Sequence, residues 1–104
     1  MLDFSNMING NYSEFLDNLY HGDELWIKYK GVVYFIQGWY DKKKPRPCVM
    51  ECYTLATDPL TRLFYTEESS MQDCAKKLLA QPLFEGKTLP EIEQETEWVD
   101  TELG

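Results

Sequence analysis

The sequence predicts an α+β domain: a three- to four-stranded antiparallel sheet, a meander, with a short N-terminal helix and two C-terminal helices packed on one face. Three observations carry this. ELWIKYKGVVYFIQGWY, residues 24–40, alternates side chains on either side of Lys30-Gly31, the pattern of two strands folded back at a tight turn. Two more alternating stretches follow, separated by the turn-forming TDPLT. NYSEFLDNLY before them and SSMQDCAKKLLAQP after them space apolar residues three and four apart, as a helix with one buried face does.

Each element has its own local reason. Tyr12, Phe15, Leu16 and Leu19 predict an amphipathic helix over 12–20, with Asn11 or Ser13 as cap and Gly22 as stop. A two-residue turn at Lys30-Gly31 makes cross-strand positions sum to a constant, so Tyr29 faces Val32, Ile27 faces Tyr34 and Leu25 faces Ile36 on a core side. The other side sets Trp26 against Phe35, Lys28 against Val33 and Glu24 against Gln37, with Trp39 further along. CVMECYTLAT, residues 48–57, predicts a third strand, and RLFYTEE, residues 62–68, a fourth. Ser70 and Asp73 form a near relative of a capping box, Pro82 closes that helix, and Met71, Cys74, Ala75, Leu78 and Leu79 share its inner side. Leu83 and Phe84 make an apolar plug before a turn at Gly86. Thr88 with Glu91, and Pro90 in the first turn, predicts a final helix over 89–96 that turns Leu89 and Ile92 inward.

The 104 residues, 43% hydrophobic and 27% charged, suit one soluble domain, 1–104, with a single core. No apolar run approaches the roughly 18 to 20 residues of a membrane span. MLDFSNMING lacks the basic and apolar regions of a secretory signal, so the expected compartment is the cytoplasm. Cys48, Cys52 and Cys74 match no metal knuckle or disulfide framework and read as free thiols. An enzyme would need Cys48 or Cys52 activated by His21, the single histidine, and no sequence signature supports that pairing. The glycines are scattered and form no phosphate-binding loop, so neither catalysis, nor a cofactor, nor a metal site is expected.

The net charge of −8 disfavours direct nucleic-acid binding. One basic cluster, Lys42, Lys43, Lys44 and Arg46 in KKKPRP, reads as a solvated loop that Pro45 and Pro47 keep out of the sheet; the competing readings are a phosphate contact or an address tag. The tail EIEQETEWVDTE carries Glu91, Glu93, Glu95, Glu97, Asp100 and Glu102. Glu91 and Glu95 are one turn apart, a routine spacing on an exposed helix that makes no metal site by itself. The run reads as a solubilising face, or as an acidic surface that occupies a partner's nucleic-acid-binding groove. The face with Trp26, Lys28, Phe35 and Trp39 is a recognition surface unless a helix, or the segment with Leu2, Phe4, Met7 and Ile8, folds over it.

FLDNLYHGDELWIKYKGVVYFI contains the hairpin motif Y-x-G-x-x-Y-x-I at Tyr29, Gly31, Tyr34 and Ile36. LFEGKTLPEIEQETEW contains Glu85, Gly86, Lys87, Leu89, Glu91 and Ile92 in the order of a second motif, (D/E)-G-K-x-L-x-E-I. In these stretches the chain resembles a group of small uncharacterised proteins of Gram-positive bacteria and their phages. The matched residues are turn, cap and core positions, so the resemblance implies an α+β fold and a bacterial or phage cytoplasmic setting, and no activity. The chain departs from the group in the KKKPRPC loop, in the strand at 48–57, and at Gln94, where the group often has an aromatic residue.

The expected function is therefore a non-enzymatic protein-protein interaction module. It would use the aromatic sheet face to bind itself, as a homodimer, or another protein. The alternative is an acidic inhibitor or immunity-type protein of phage or mobile-element origin that blocks a nucleic-acid-binding enzyme.

Overall fold

The computed structural model describes residues 8–56 and 61–99. Along the chain run α1 (Ile8–His21), β1 (Leu25–Tyr29), β2 (Val32–Tyr40), β3 (Cys48–Thr54), β4 (Thr61–Glu68), α2 (Met71–Ala80), α3 (Leu89–Ile92), a 3-10 turn (Glu93–Glu95) and β5 (Thr96–Val99). The protein is α+β, with one antiparallel sheet ordered β4-β3-β2-β1-β5. The first four strands form a meander, and β5 returns to the far edge of β1.

α1 begins before the expected 12–20 and bends at Asn11, whose φ of −135° and ψ of 21° leave the helical region. Ile8, Phe15 and Leu19 form its buried side. At its end the Asp23 amide donates to Asn18 O at 3.1 Å and the Gly22 amide to Leu19 O at 3.0 Å. Gly22 has a φ of +78°, so this is the paired-bond stop that favours glycine after a helix. The hairpin turn has positive φ at both Lys30 (50°) and Gly31 (80°), the conformation whose twist matches the strands it joins. Register follows: Leu25 pairs with Ile36, Trp26 with Phe35, Ile27 with Tyr34, Lys28 with Val33 and Tyr29 with Val32.

Side chains from α1, α2 and α3 meet one face of the sheet. Leu25, Ile27 and Tyr29 from β1, Tyr34 and Ile36 from β2, and Cys48, Met50 and Cys52 from β3 form the sheet half of the core. Met71, Cys74, Ala75 and Leu78 come down from α2, and Leu89 and Ile92 from α3. Phe84, the expected plug, is fully buried with its ring edge-on to Tyr34 at 4.8 Å. α2 is capped as expected, the Asp73 amide donating to Ser70 Oγ at 3.1 Å.

The expected helix over 89–96 is corrected. The Thr88–Glu91 half of the cap is present, Glu91 Oε1 accepting from the Thr88 amide at 2.9 Å and from its hydroxyl at 3.0 Å. The α-helix nevertheless ends at Ile92, a 3-10 turn covers Glu93–Glu95, and Thr96–Val99 is a strand. TEWV is too short to announce a strand by its own alternation, but beside β1 it buries Thr96 and packs Trp98 edge-on to Phe15 at 5.4 Å. Thr96 also donates its hydroxyl to Ile92 O at 2.7 Å, closing the preceding turn. The sheet therefore has five strands rather than three or four.

Candidate functional site

Every helix contributes its buried side chains to the inner face, and among the described residues none packs on the opposite one. That outer face is built by strand alternation. Val99, Trp26, Phe35, Tyr53 and Arg62 stand in register across all five strands, from β5 through β1, β2 and β3 to β4. Beside this row lie Gln37, Glu51 and Tyr65, and beyond them Trp39, Val49 and Glu67. On the other side Lys28 stands between Glu97 and Val33. Trp26 and Phe35 stack with ring centroids 4.7 Å apart and planes inclined by 26°. The four expected residues, Trp26, Lys28, Phe35 and Trp39, are thus brought onto one surface.

The centre of this surface is polar and desolvated. Glu51 is 5% exposed although no helix covers it, because Phe35, Tyr53, Tyr65 and Val49 stand around it. Gln37 Nε2 donates to Glu51 Oε2 at 2.6 Å, and Arg62 Nη1 lies 3.5 Å from Oε1. The Arg62 guanidinium also sits over the Tyr65 ring, 4.5 Å from its centroid. Burial first, and then the neighbouring Glu51 carboxylate, hold the Tyr53 phenol above its ordinary pKa, against the opposing pull of Arg62. Tyr65 donates to Glu67, whose carboxyl is held below the usual range by hydrogen bonds from Lys44 and Tyr65.

Glu51, Tyr53, Arg62 and Tyr65 were not singled out by the sequence as members of the surface. Their signal is the alternation in β3 and β4, which becomes readable only with the register. A bulge at Cys52/Tyr53 shifts the β3–β4 pairing, setting Tyr53 opposite Arg62 rather than Leu63. Counting along the sequence without it would have turned Arg62 to the inner face.

The basic loop is anchored at two of its four cations. Lys44 pairs with Glu67 at 2.7 Å and Arg46 approaches Glu68 at 3.8 Å, while Lys42 and Lys43 are exposed. The acidic residues are divided among elements. Glu91 caps α3, Glu93 is half-buried with Oε2 lacking a hydrogen bond among the described residues, Glu95 is exposed, and Glu97 belongs to the outer face. Asp100 and Glu102 lie outside the described residues, as do Leu2, Phe4 and Met7; Ile8 belongs to the inner core.

The three cysteines are buried free thiols. Burial pushes the Cys52 thiol up to about 12 and the Cys74 thiol up to about 11, away from nucleophilic character at neutral pH. His21 is exposed at the end of α1, where Nδ1 donates to Asp17 O at 2.6 Å. Among the described residues no three His, Cys, Asp or Glu side chains gather as a metal site, and no helix is long and apolar enough to cross a membrane. Comparison with protein-family models, curated proteins and solved structures gives no match.

Proposed function

We propose that the protein is a non-enzymatic interaction module that binds another protein through the outer face of its sheet. One observation carries this: a row that crosses every strand, aromatic on the three central ones at Trp26, Phe35 and Tyr53, lies opposite all three helices, with Trp39 and Tyr65 exposed beside it. Trp and Tyr contribute large contact areas at small entropic cost and dominate interface hot spots. The surface is a broad sheet face, which suits a protein partner better than an enclosed small molecule. On the resemblance of its hairpin and C-terminal motifs, the setting proposed for this module is a bacterial or phage cytoplasm.

Self-association through the same face is the second form of the proposal. Two copies each carrying −8 repel at long range, and this favours a partner of opposite charge. If that partner is a nucleic-acid-binding enzyme, the module acts as the acidic inhibitor, with Glu97 on the outer face next to the contact. Affinity capture with wild type and Trp26→Glu tests the proposal, together with molar mass by light scattering across a hundredfold dilution. Trp26→Glu should keep its circular dichroism spectrum and lose its partner; a variant that unfolds would make Trp26 a core residue and end this reading.

A further inference from the structure

Building on the outer face as the binding surface, we infer that the Glu51 subsite receives an arginine side chain from a basic partner, which takes the place of Arg62. The subsite has an anionic floor and aromatic walls. Glu51 lies opposite Tyr65 in register, with Tyr53 two positions further along its own strand. A planar cation that can stack on a ring and donate in-plane hydrogen bonds to a carboxylate is the chemistry this set recognises.

Arg62 already demonstrates that fit. Its guanidinium stacks on Tyr65 at 4.5 Å and points Nη1 at Glu51 Oε1. Yet the tie is loose: the Nη1–Oε1 distance of 3.5 Å is beyond the ordinary range for a charge-assisted bond, and the Arg62 side chain is 49% exposed. Glu51 accepts a short hydrogen bond from Gln37 and has the Tyr53 phenol against it, which still leaves room beside Oε1, since a carboxylate can accept about four. It is 5% exposed, so an ion pair formed there under a docked partner would be screened little. Arg62 comes from an edge strand beside the bulge, so its side chain can swing to solvent without disturbing the sheet. A lysine would supply the charge without the stacking plane or the paired donors.

The exchange makes a prediction opposite to that of a structural Arg62. The probe is a blocked hexapeptide with one central arginine, titrated into the full chain and followed by amide chemical shifts in two-dimensional 1H–15N NMR. Shifts should centre on Gln37, Glu51, Tyr53 and Tyr65. Replacing the arginine by citrulline, or Glu51 by Gln, should weaken binding by about tenfold, the scale of one desolvated charge-assisted contact. Arg62→Ala should tighten it by about threefold or more because the competitor is gone. Equal binding of the arginine and citrulline peptides, or weaker binding by Arg62→Ala, overturns the inference. Charge-independent binding on the same face would leave the interaction module standing and the arginine subsite refuted. If no peptide shifts these amides the subsite also falls, and capture with Trp26→Glu then judges the module separately. Concentration-dependent shifts at the same residues without peptide would identify the occupant as a second copy and likewise overturn the inference.

Discussion

The Gly38 amide donates to the Gly22 carbonyl at 3.0 Å, and Met71 lies across both glycines. A Cβ at Gly38 would stand 2.8 Å from Met71 Sδ and 3.0 Å from Gly22 Cα; one at Gly22 would stand 2.8 Å from Met71 Cε. This small slot brings together the end of α1, the later part of β2 and the start of α2.

Gly38→Ala should therefore destabilise the fold by about 1–3 kcal/mol, the usual scale of overpacking. Gly22→Ala should cost more, because its φ of +78° adds backbone strain to the collision. Shortening Met71 to Ala in the Gly38→Ala background should recover part of the loss, giving a non-additive pair in urea denaturation. Strict additivity would show that the slot is not shared.

The Trp26–Phe35 stack reports on whether the outer face is open. Each residue is half-exposed, so Trp26→Ala and Phe35→Ala should each cost about 1–2 kcal/mol, less than the 3–5 typical of a buried aromatic. A double-mutant cycle should find a coupling of about 0.5–1.5 kcal/mol for the stacked pair. Losses on the scale of a buried aromatic would mean that the face is covered.

Glu68 ties the end of β4 to α2 and to the basic loop. Its carboxylate accepts from Lys77 at 2.7 Å and from the Thr66 hydroxyl, and Arg46 lies 3.8 Å away. Hydrogen bonding to Lys77, then to Thr66, holds its pKa below the ordinary 4.5. A lowered native pKa stabilises the fold fully above the unfolded value, and that contribution is lost as pH falls through the native one. Glu68→Gln should cost about 1 kcal/mol at pH 7, near the low end for charge-assisted hydrogen bonds because Lys77 is half exposed. The variant and wild type should converge in strong acid. Denaturation midpoints from pH 7 down to pH 2 test this, and a constant difference across the range would contradict it.

The thiols should be slow to react. With its pKa near 12 rather than 9, Cys52 presents about a thousandfold less thiolate at neutral pH than an unperturbed cysteine. Cys48, Cys52 and Cys74 should all resist a thiol reagent in the native protein and react together in denaturant. A single fast thiol in native buffer would revive the nucleophile reading.

The hairpin was legible from Leu25 to Ile36 because a two-residue turn fixes the pairs behind it: once Lys30-Gly31 is placed, Trp26 must meet Phe35, while the expected pair of Glu24 with Gln37 falls just beyond the start of β1. The α2 cap was legible for the same local reason, since Ser70 and Asp73 act within one turn. β5 was not. Glu91 to Glu95 favours helix locally, and TEWV becomes a strand only when β1 offers its edge, a partner about seventy residues away. The outer surface was half legible. Trp26, Lys28, Phe35 and Trp39 follow from the hairpin, whereas Glu51 and Arg62 join them through the β2–β3 and β3–β4 registers, with a bulge that no short-range pattern signals.

The pairing of β5 with β1 has a consequence for how the protein is made. Until residues 96–99 emerge from the ribosome, the meander β1–β4 presents the bare backbone edge of β1, with Ile27 and Tyr29 alternating beside it. Such an edge invites pairing with another nascent chain. The last described strand therefore acts as a lock that closes only once residues 96–99 have been made, and a chain interrupted before Thr96 would be left with that edge open.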